Sequence, residues 1–351
     1  MKNILVVFTG GTIGSIATEG TINTASSASY QLLELFQQHC QNSQQVNFST
    51  VQPLQMLSEN LAPCVWQTLI NAIEAMQPER YDGIIITHGT DTLAYTAAAL
   101  SFYFNAIKIP VLLVASDYPL SDPRANGLVN FMCAVEFILQ NIQAGVFVPY
   151  RNKQQTLQVH KASRLTCSLQ LSGDFFSIQD KSAMSYENHI FDMLGYQKHR
   201  VLGDNRAILE ASETTVQHGG LKADFSGRIL MIKPYPGLNY ANFNLEDIDA
   251  VLHDLYHSGT ACASTQWGEN YSLAEFIKRC GEQKIKVYLA PSINSVNAYQ
   301  TTLALIEQGA EMIWNMSIEA AYVKLMLAYG NFSDELQIMA FIEKDIAGEH
   351  L

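Results

Sequence analysis

Basic side chains are scarce in this chain of 351 residues: 21 Lys and Arg stand against 33 Asp and Glu, a formal net charge of −12. A field of that sign repels phosphodiester backbones and anionic headgroups, so neither nucleic acid nor membrane is expected as a partner. Charged residues of both signs make up only 15%, below the ~25% usual for globular proteins. The hydrophobic share of 48% nevertheless excludes a disordered chain. Cysteines are few and unpaired in spacing (Cys40, Cys64, Cys133, Cys167, Cys262, Cys280), with no C-x-x-C, so a zinc site, a redox motif and a disulfide scaffold are not expected. No apolar run approaches the ~18 residues of a membrane span, and Met1–Phe8 is too short for a signal segment, which points to a cytoplasmic protein. A serine-hydrolase Gly-x-Ser-x-Gly elbow is missing. So is the dinucleotide fingerprint, because Thr9, Gly11 and Gly14 occupy the three glycine positions after the first apolar run.

What is present is alternation. Short β-rich runs (Ile4–Phe8, Val46–Val51, Ile84–Thr87, Val111–Ala115, Val146–Tyr150) alternate with helical periodicity at Tyr30–Gln38, Pro63–Met76, Thr92–Phe104 and Ala125–Gln140. Such order builds a mostly parallel sheet covered on both faces. After a stretch rich in turn residues, further strands are predicted at Arg228–Lys233, Ala261–Ser264 and Lys286–Leu289. Helices are predicted at Leu245–His257, Ser272–Cys280, Tyr299–Glu307 and Ser317–Tyr329. The expected organisation is an α/β fold: an N-terminal doubly wound domain over 1–203, a connection over 204–225, and a smaller α/β domain over 226–351. His253 and His257 have the spacing of a helical metal pair, but without a third ligand they read as a solvated helix face.

Ligands in open α/β sheets bind beyond the carboxyl ends of the strands. The first strand ends in Thr9-Gly10-Gly11-Thr12-Ile13-Gly14, and the third in Thr87-His88-Gly89-Thr90-Asp91-Thr92, which opens into a helix. Glycines there permit tight turns and close approach of backbone to ligand. A threonine or aspartate at such a place can also be a simple helix cap. Two such turns on one sheet point to a site.

These segments, Phe8–Ser15 with Thr87–Thr96, resemble the bacterial-type L-asparaginase (asparaginase/glutaminase) family, most closely its cytoplasmic type I branch. The resemblance is dense over residues 4–165 and thin beyond 225. It implies hydrolysis of L-asparagine to L-aspartate and ammonia through an acyl-enzyme on Thr12. Thr90, Asp91 and Lys161 would be the other catalytic groups, Lys161 serving as a relay to Thr90. Gly11, Ser58, Glu59, Gly89 and Ser116 would bind substrate, with Ser58 and Glu59 meeting its α-substituents. No metal or organic cofactor is implied, and a homodimer or homotetramer is. Hydrolysis of glutamine or another β-amide, and ligand binding without catalysis, are the alternatives. The family's lid tyrosine falls on Thr21 here, with Tyr30 as a substitute if the lid folds differently. The related ammonia-releasing component of a transfer-RNA amidotransferase is set aside, on the expectation that it carries an additional N-terminal domain.

Overall fold

The structure, a computed structural model, describes residues 1–18, 21–24, 26–180, 183–192, 220–294 and 299–351. The chain divides into two compact units, Met1–Ala223 and Asp224–Leu351. Most of the expected connection over 204–225 lies outside the described residues.

Unit 1 begins with β1 (Lys2–Val7), the hairpin of β2 (Ser15–Thr18) and β3 (Thr21–Thr24), α1 (Ser26–His39) and β4 (Val46–Val51). It continues through α2 (Pro63–Ala75), β5 (Gly83–Thr87), α3 (Leu93–Tyr103), β6 (Pro110–Val114), α4 (Gly127–Leu139) and β7 (Gly145–Tyr150). The strands β8 (Leu157–Lys161), β9 (Ala183–Glu187) and β10 (Ile190–Asp192) complete it. Its sheet has the order β10-β9-β8-β7-β6-β5-β1-β4. From β4 to β7 neighbours run parallel, while β8, β9 and β10 are added antiparallel.

Every residue of β5 and β6 is buried, as continuous Ile, Val and Leu runs demand when helices cover both faces. One cover joins α1 and α4 around Phe36, Phe131 and Phe137, and the other pairs α2 with α3. Pro63 opens α2, where its missing N–H costs nothing. The chain passes from β1 to β4 on one side and returns to β5 on the other. The reversal of strand order therefore falls between β1 and β5, the place where such sheets open a crevice at their carboxyl ends.

Unit 2 is a second parallel sheet, β11 (Ile229–Ile232), β12 (Ala250–Asp254), β13 (Lys286–Ser292) and β14 (Glu311–Trp314), in that order. Its helices are α5 (Leu273–Glu282), α6 (Gln300–Glu307), α7 (Ile318–Asn331) and α8 (Glu335–Glu343). The helix expected over Leu245–His257 is instead β12, preceded by turns. Asp247 takes φ +60°, and Ala250, Val251, Leu252 and His253 are buried between β11 and β13. His253 is thus a core residue whose Nε2 meets the Tyr240 hydroxyl at 2.8 Å, so no solvated helix face carries it. The strand expected at Ala261–Ser264 is irregular chain, and β14 takes the fourth place in the sheet.

Candidate active site at the tips of β1 and β5

The two glycine turns are built against each other. Gly10 and Gly11 leave β1 with φ of +104° and +73°, which side chains with a Cβ rarely adopt. A Cβ on Gly11 would collide with the backbone of His88 and Gly89, and one on Gly89 with the Ser58 side chain. The loop after β4 fastens the first turn: Gly11 N–H donates to the Met56 carbonyl at 2.9 Å, and Met56 N–H to the Thr9 carbonyl at 3.0 Å. The Thr9 hydroxyl donates to the Thr87 carbonyl at 2.5 Å, tying the two strand ends together. Gly11→Ala is accordingly expected to force the turns apart and to destabilise the fold by about 1–3 kcal/mol, the cost of a strained backbone position. Thermal melting checks this, and a wild-type midpoint would show that the turns tolerate the added methyl.

Thr12 is half-buried at the start of a short 3-10 turn, and its hydroxyl has no hydrogen-bond partner among the described residues. Ser15 Oγ donates to the Gly11 carbonyl at 2.7 Å and holds that turn closed. On the second turn, Ser58 is buried and central. Its hydroxyl donates to Asp91 Oδ2 at 3.1 Å and accepts the Asp91 N–H at 3.2 Å, while its carbonyl accepts the Thr92 hydroxyl at 2.9 Å. Asp91 and Glu59 are exposed, and Thr90 is half-buried. His88 lies buried beside Gly89, with Nδ1 facing the Gly89 carbonyl at 2.8 Å. Burial holds the imidazole below its ordinary pKa against the pull of that carbonyl and of Asp91, so the ring is neutral and Nδ1 carries the proton.

Ser116 is fully buried. Its hydroxyl bridges the Tyr118 carbonyl at 2.6 Å and the Gly127 N–H at 3.1 Å, shaping the loop after β6 and offering no surface to a ligand. Asn130, inside a mostly apolar helix, belongs to none of the sequence motifs. It is buried and joins the tips of β6 and β7, donating to the Ala115 carbonyl and accepting Arg151 N–H. A lone amide within α4 was the signal available.

Lys161 is half-buried at the end of β8, opposite Phe147. β8 enters at the carboxyl edge of the sheet, where Gln158 stands opposite Tyr150, and descends to Lys161. The 3-10 turn that follows, Ala162–Arg164, packs against α3, the helix that the Thr90-Asp91-Thr92 turn opens. One helix therefore adjoins both segments. Around the family's lid position, β2 and β3 pair antiparallel, with Thr21 exposed and opposite Thr18. Tyr30 lies on α1, exposed, with its ring 6.0 Å from that of Phe8.

A doubly wound sheet with hydroxyl-bearing glycine turns at its switch point, accompanied by a smaller parallel unit, defines a two-unit α/β protein with its candidate site at the carboxyl ends of the larger sheet. Residues 3–189 match the family model described as Asparaginase, N-terminal, and the chain belongs to that family. It is 26% identical to a component of the glutamyl-tRNA(Gln) amidotransferase of Methanococcus maripaludis, covering 99% of this chain and 81% of that one. The protein of the same name from Methanobrevibacter smithii is 27% identical, over 99% and 77%. Among solved structures, the thermostable L-asparaginase of Thermococcus kodakarensis shares the fold with a TM-score of 0.77 and 24% identity, over 99% of each chain. L-asparaginase I of Vibrio cholerae gives 0.72 and 24%, over 100% of this chain and 99% of that one. The type I branch is not distinguished by these likenesses.

Proposed function

We propose that the protein hydrolyses the terminal carboxamide of a free amino acid, L-asparagine or L-glutamine, releasing ammonia through an ester on Thr12. The observation that carries this reading is the direct packing of the Gly11 turn on the Gly89 turn, which brings the segments of Thr12 and of the Ser58–Thr90–Asp91 group together. In the first step Thr12 Oγ attacks the amide carbon, its proton passes to the departing nitrogen, and ammonia leaves. Water then attacks the ester, returning the proton to Oγ and giving the amino-acid carboxylate. Gly11 N–H is engaged by Met56, whereas the N–H groups of Thr12, Gly89 and Thr90 have no acceptor among the described residues and are the candidate donors to the oxyanion. Asp91, with one oxygen held by Ser58, and exposed Glu59 supply acceptors for the α-ammonium.

Lys161 enters this reading as a proton relay to Thr90, supported by the packing of the turn after it on α3. Lys161→Met is expected to lower kcat by about 10²-fold, the low end for a proton-transfer group. Combining it with Thr90→Val should cost little more than the worse single change, because groups acting as a unit are non-additive. Fully additive losses, or a loss below tenfold for Lys161→Met, would remove the relay.

Asparagine enters the proposal through the asparaginase family model, and glutamine because it carries the same terminal carboxamide one methylene further out. Relatives named as an amidotransferase component align over 99% of the chain. Those matches bring the amidotransferase relationship back into consideration. A complex with a different protein therefore stands beside a homodimer or homotetramer as the assembly to measure. The purified chain is expected to release ammonia from at least one of the two amides, and Thr12→Ala to abolish it. A second reading, ligand binding without turnover, is favoured by exposed Thr21 on the hairpin, a residue with no phenol to assist Thr12. Calorimetric binding of an amide or its acid product without any ammonia release would establish that reading and overturn the first.

A further inference from the structure

Beyond the site in unit 1, the carboxyl edge of unit 2 holds a concavity of about 420 Å³ between the loops that follow β11 and β12. Four aromatic residues line it and remain exposed: Tyr235, Tyr256, Trp267 and Tyr271. Exposure reaches 75% at Trp267 and 56% at Tyr235, more than scattered surface aromatics need. These rings are not a collapsed cluster. Packed aromatics pair with centroids ~4.5–7 Å apart, yet none of the four makes a ring contact among the described residues, and no lysine or arginine there lies over any of them. They stand apart as walls.

The floor is fixed independently of the walls. Tyr240 is buried there, stacked on Phe276 at 4.8 Å, with its hydroxyl on His253 Nε2 and its carbonyl held by Arg279. The walls are set by backbone: Gly237 and Gly268 adopt φ of +87° and +117°, and Gly268 abuts the Tyr271 ring. No charged side chain among the described residues lines the space.

We propose that this aromatic-walled pocket of unit 2 binds a small organic cation, an alkylated or quaternary ammonium, through the faces of Tyr235, Tyr256, Trp267 and Tyr271. Three features select a cation. The ring faces carry negative quadrupole potential, and separated rings leave those faces to the ligand. No lining lysine or arginine already occupies them. The chain's net charge of −12 raises the local concentration of cations and depletes anions. A neutral apolar ligand would gain the contact area but neither electrostatic contribution.

Choline and its uncharged carbon isostere 3,3-dimethyl-1-butanol separate charge from shape, and Trp267 fluorescence with calorimetry on the full chain reads both. Choline is expected to bind saturably and the isostere at least about tenfold more weakly. Trp267→Ala and Tyr256→Leu are each expected to weaken choline by about threefold or more, as loss of a cation–π wall does. Trp267→Phe should retain part of the affinity, and Thr12→Ala should leave it unchanged. Equal binding of choline and the isostere, no saturable choline binding up to about 100 mM, a concentration far above that of any specific site, or ring variants with wild-type affinity would each overturn the proposal. Thermal melting confirms that the variants fold, as the exposure of Trp267 leads one to expect. Since binding is read without turnover, the outcome is independent of whether unit 1 hydrolyses either amide.

Discussion

Thr12→Ala is expected to lower ammonia release by about 10³-fold or more, the scale of removing a covalent nucleophile. The fold should be indifferent to the change. The Thr12 hydroxyl has no partner among the described residues, so its deletion leaves no buried group unsatisfied, and the half-buried methyl contributes little packing. Activity and stability should therefore separate, with turnover lost and the melting midpoint close to that of wild type. Thr12→Ser is the companion variant, because it keeps an oxygen in place and should retain measurable rate. If Thr12→Ala kept a tenth of wild-type turnover, the ester on Thr12 would be excluded and water would have to attack the amide directly.

The second large effect lies in unit 2 and concerns stability. Lys324 on α7 and Glu349 near the C-terminus form an ion pair with side chains 1% and 0% exposed. The Lys324 ammonium also donates to the carbonyls of Ile342 at 2.9 Å and Lys344 at 2.6 Å, at the end of α8 and just beyond it. Glu349 in turn accepts the N–H groups of Ile346 at 3.2 Å and Ala347 at 2.7 Å. Burial alone would raise the Glu349 carboxyl, but Lys324, Asp345 and the Ala347 amide outweigh it and hold it at about 2. Burial lowers the Lys324 pKa, yet with the carboxyl so depressed the pair stays ionic.

Glu349→Ala removes the carboxylate that pairs directly with a buried ammonium, and such a break costs about 3–5 kcal/mol. The double change Lys324→Met with Glu349→Leu should recover most of that, since apolar replacements of a buried pair are often neutral. Urea unfolding followed by circular dichroism reads both. The pH dependence has a defined sign. A carboxyl lowered from about 4.3 when unfolded to about 2 when folded stabilises the native state above pH ~4.3 and loses that contribution as pH falls toward ~2. The wild-type midpoint should fall across that window, and Glu349→Leu with Lys324→Met should flatten the fall. Equal acid sensitivity of the two proteins would mean that other carboxylates govern it.

Much of unit 1 was legible because its signals are local. Val46–Val51 coincides with β4, and the apolar runs at Ile84 and Val111 are the fully buried β5 and β6. The glycine turns at Gly11 and Gly89 announced Thr12, Thr90 and Asp91 through a close backbone approach that few other residues allow. In unit 2 the same reasoning went astray at Leu245–His257. Leu245, Ile248, Val251, Leu252 and Leu255 recur with helical spacing, yet the segment is turns leading into a strand. A short run buried on both faces has no periodicity of its own to declare it a strand.

The sequence by itself determined where the chain turns, which runs must be buried, and which hydroxyls stand at strand tips, because glycine, proline and apolar runs act over a few residues. Tertiary structure alone decided the register. Gln158 and Lys161 lie on one strand, and only the pairing of β8 with β7 shows that Gln158 stands at the carboxyl edge and that the turn after Lys161 meets α3. It also decided that Ser116 holds a loop and that Ser58 orients Asp91. Those outcomes rest on hydrogen bonds and packing between segments apart in the chain, and no local preference of either segment encodes its partner.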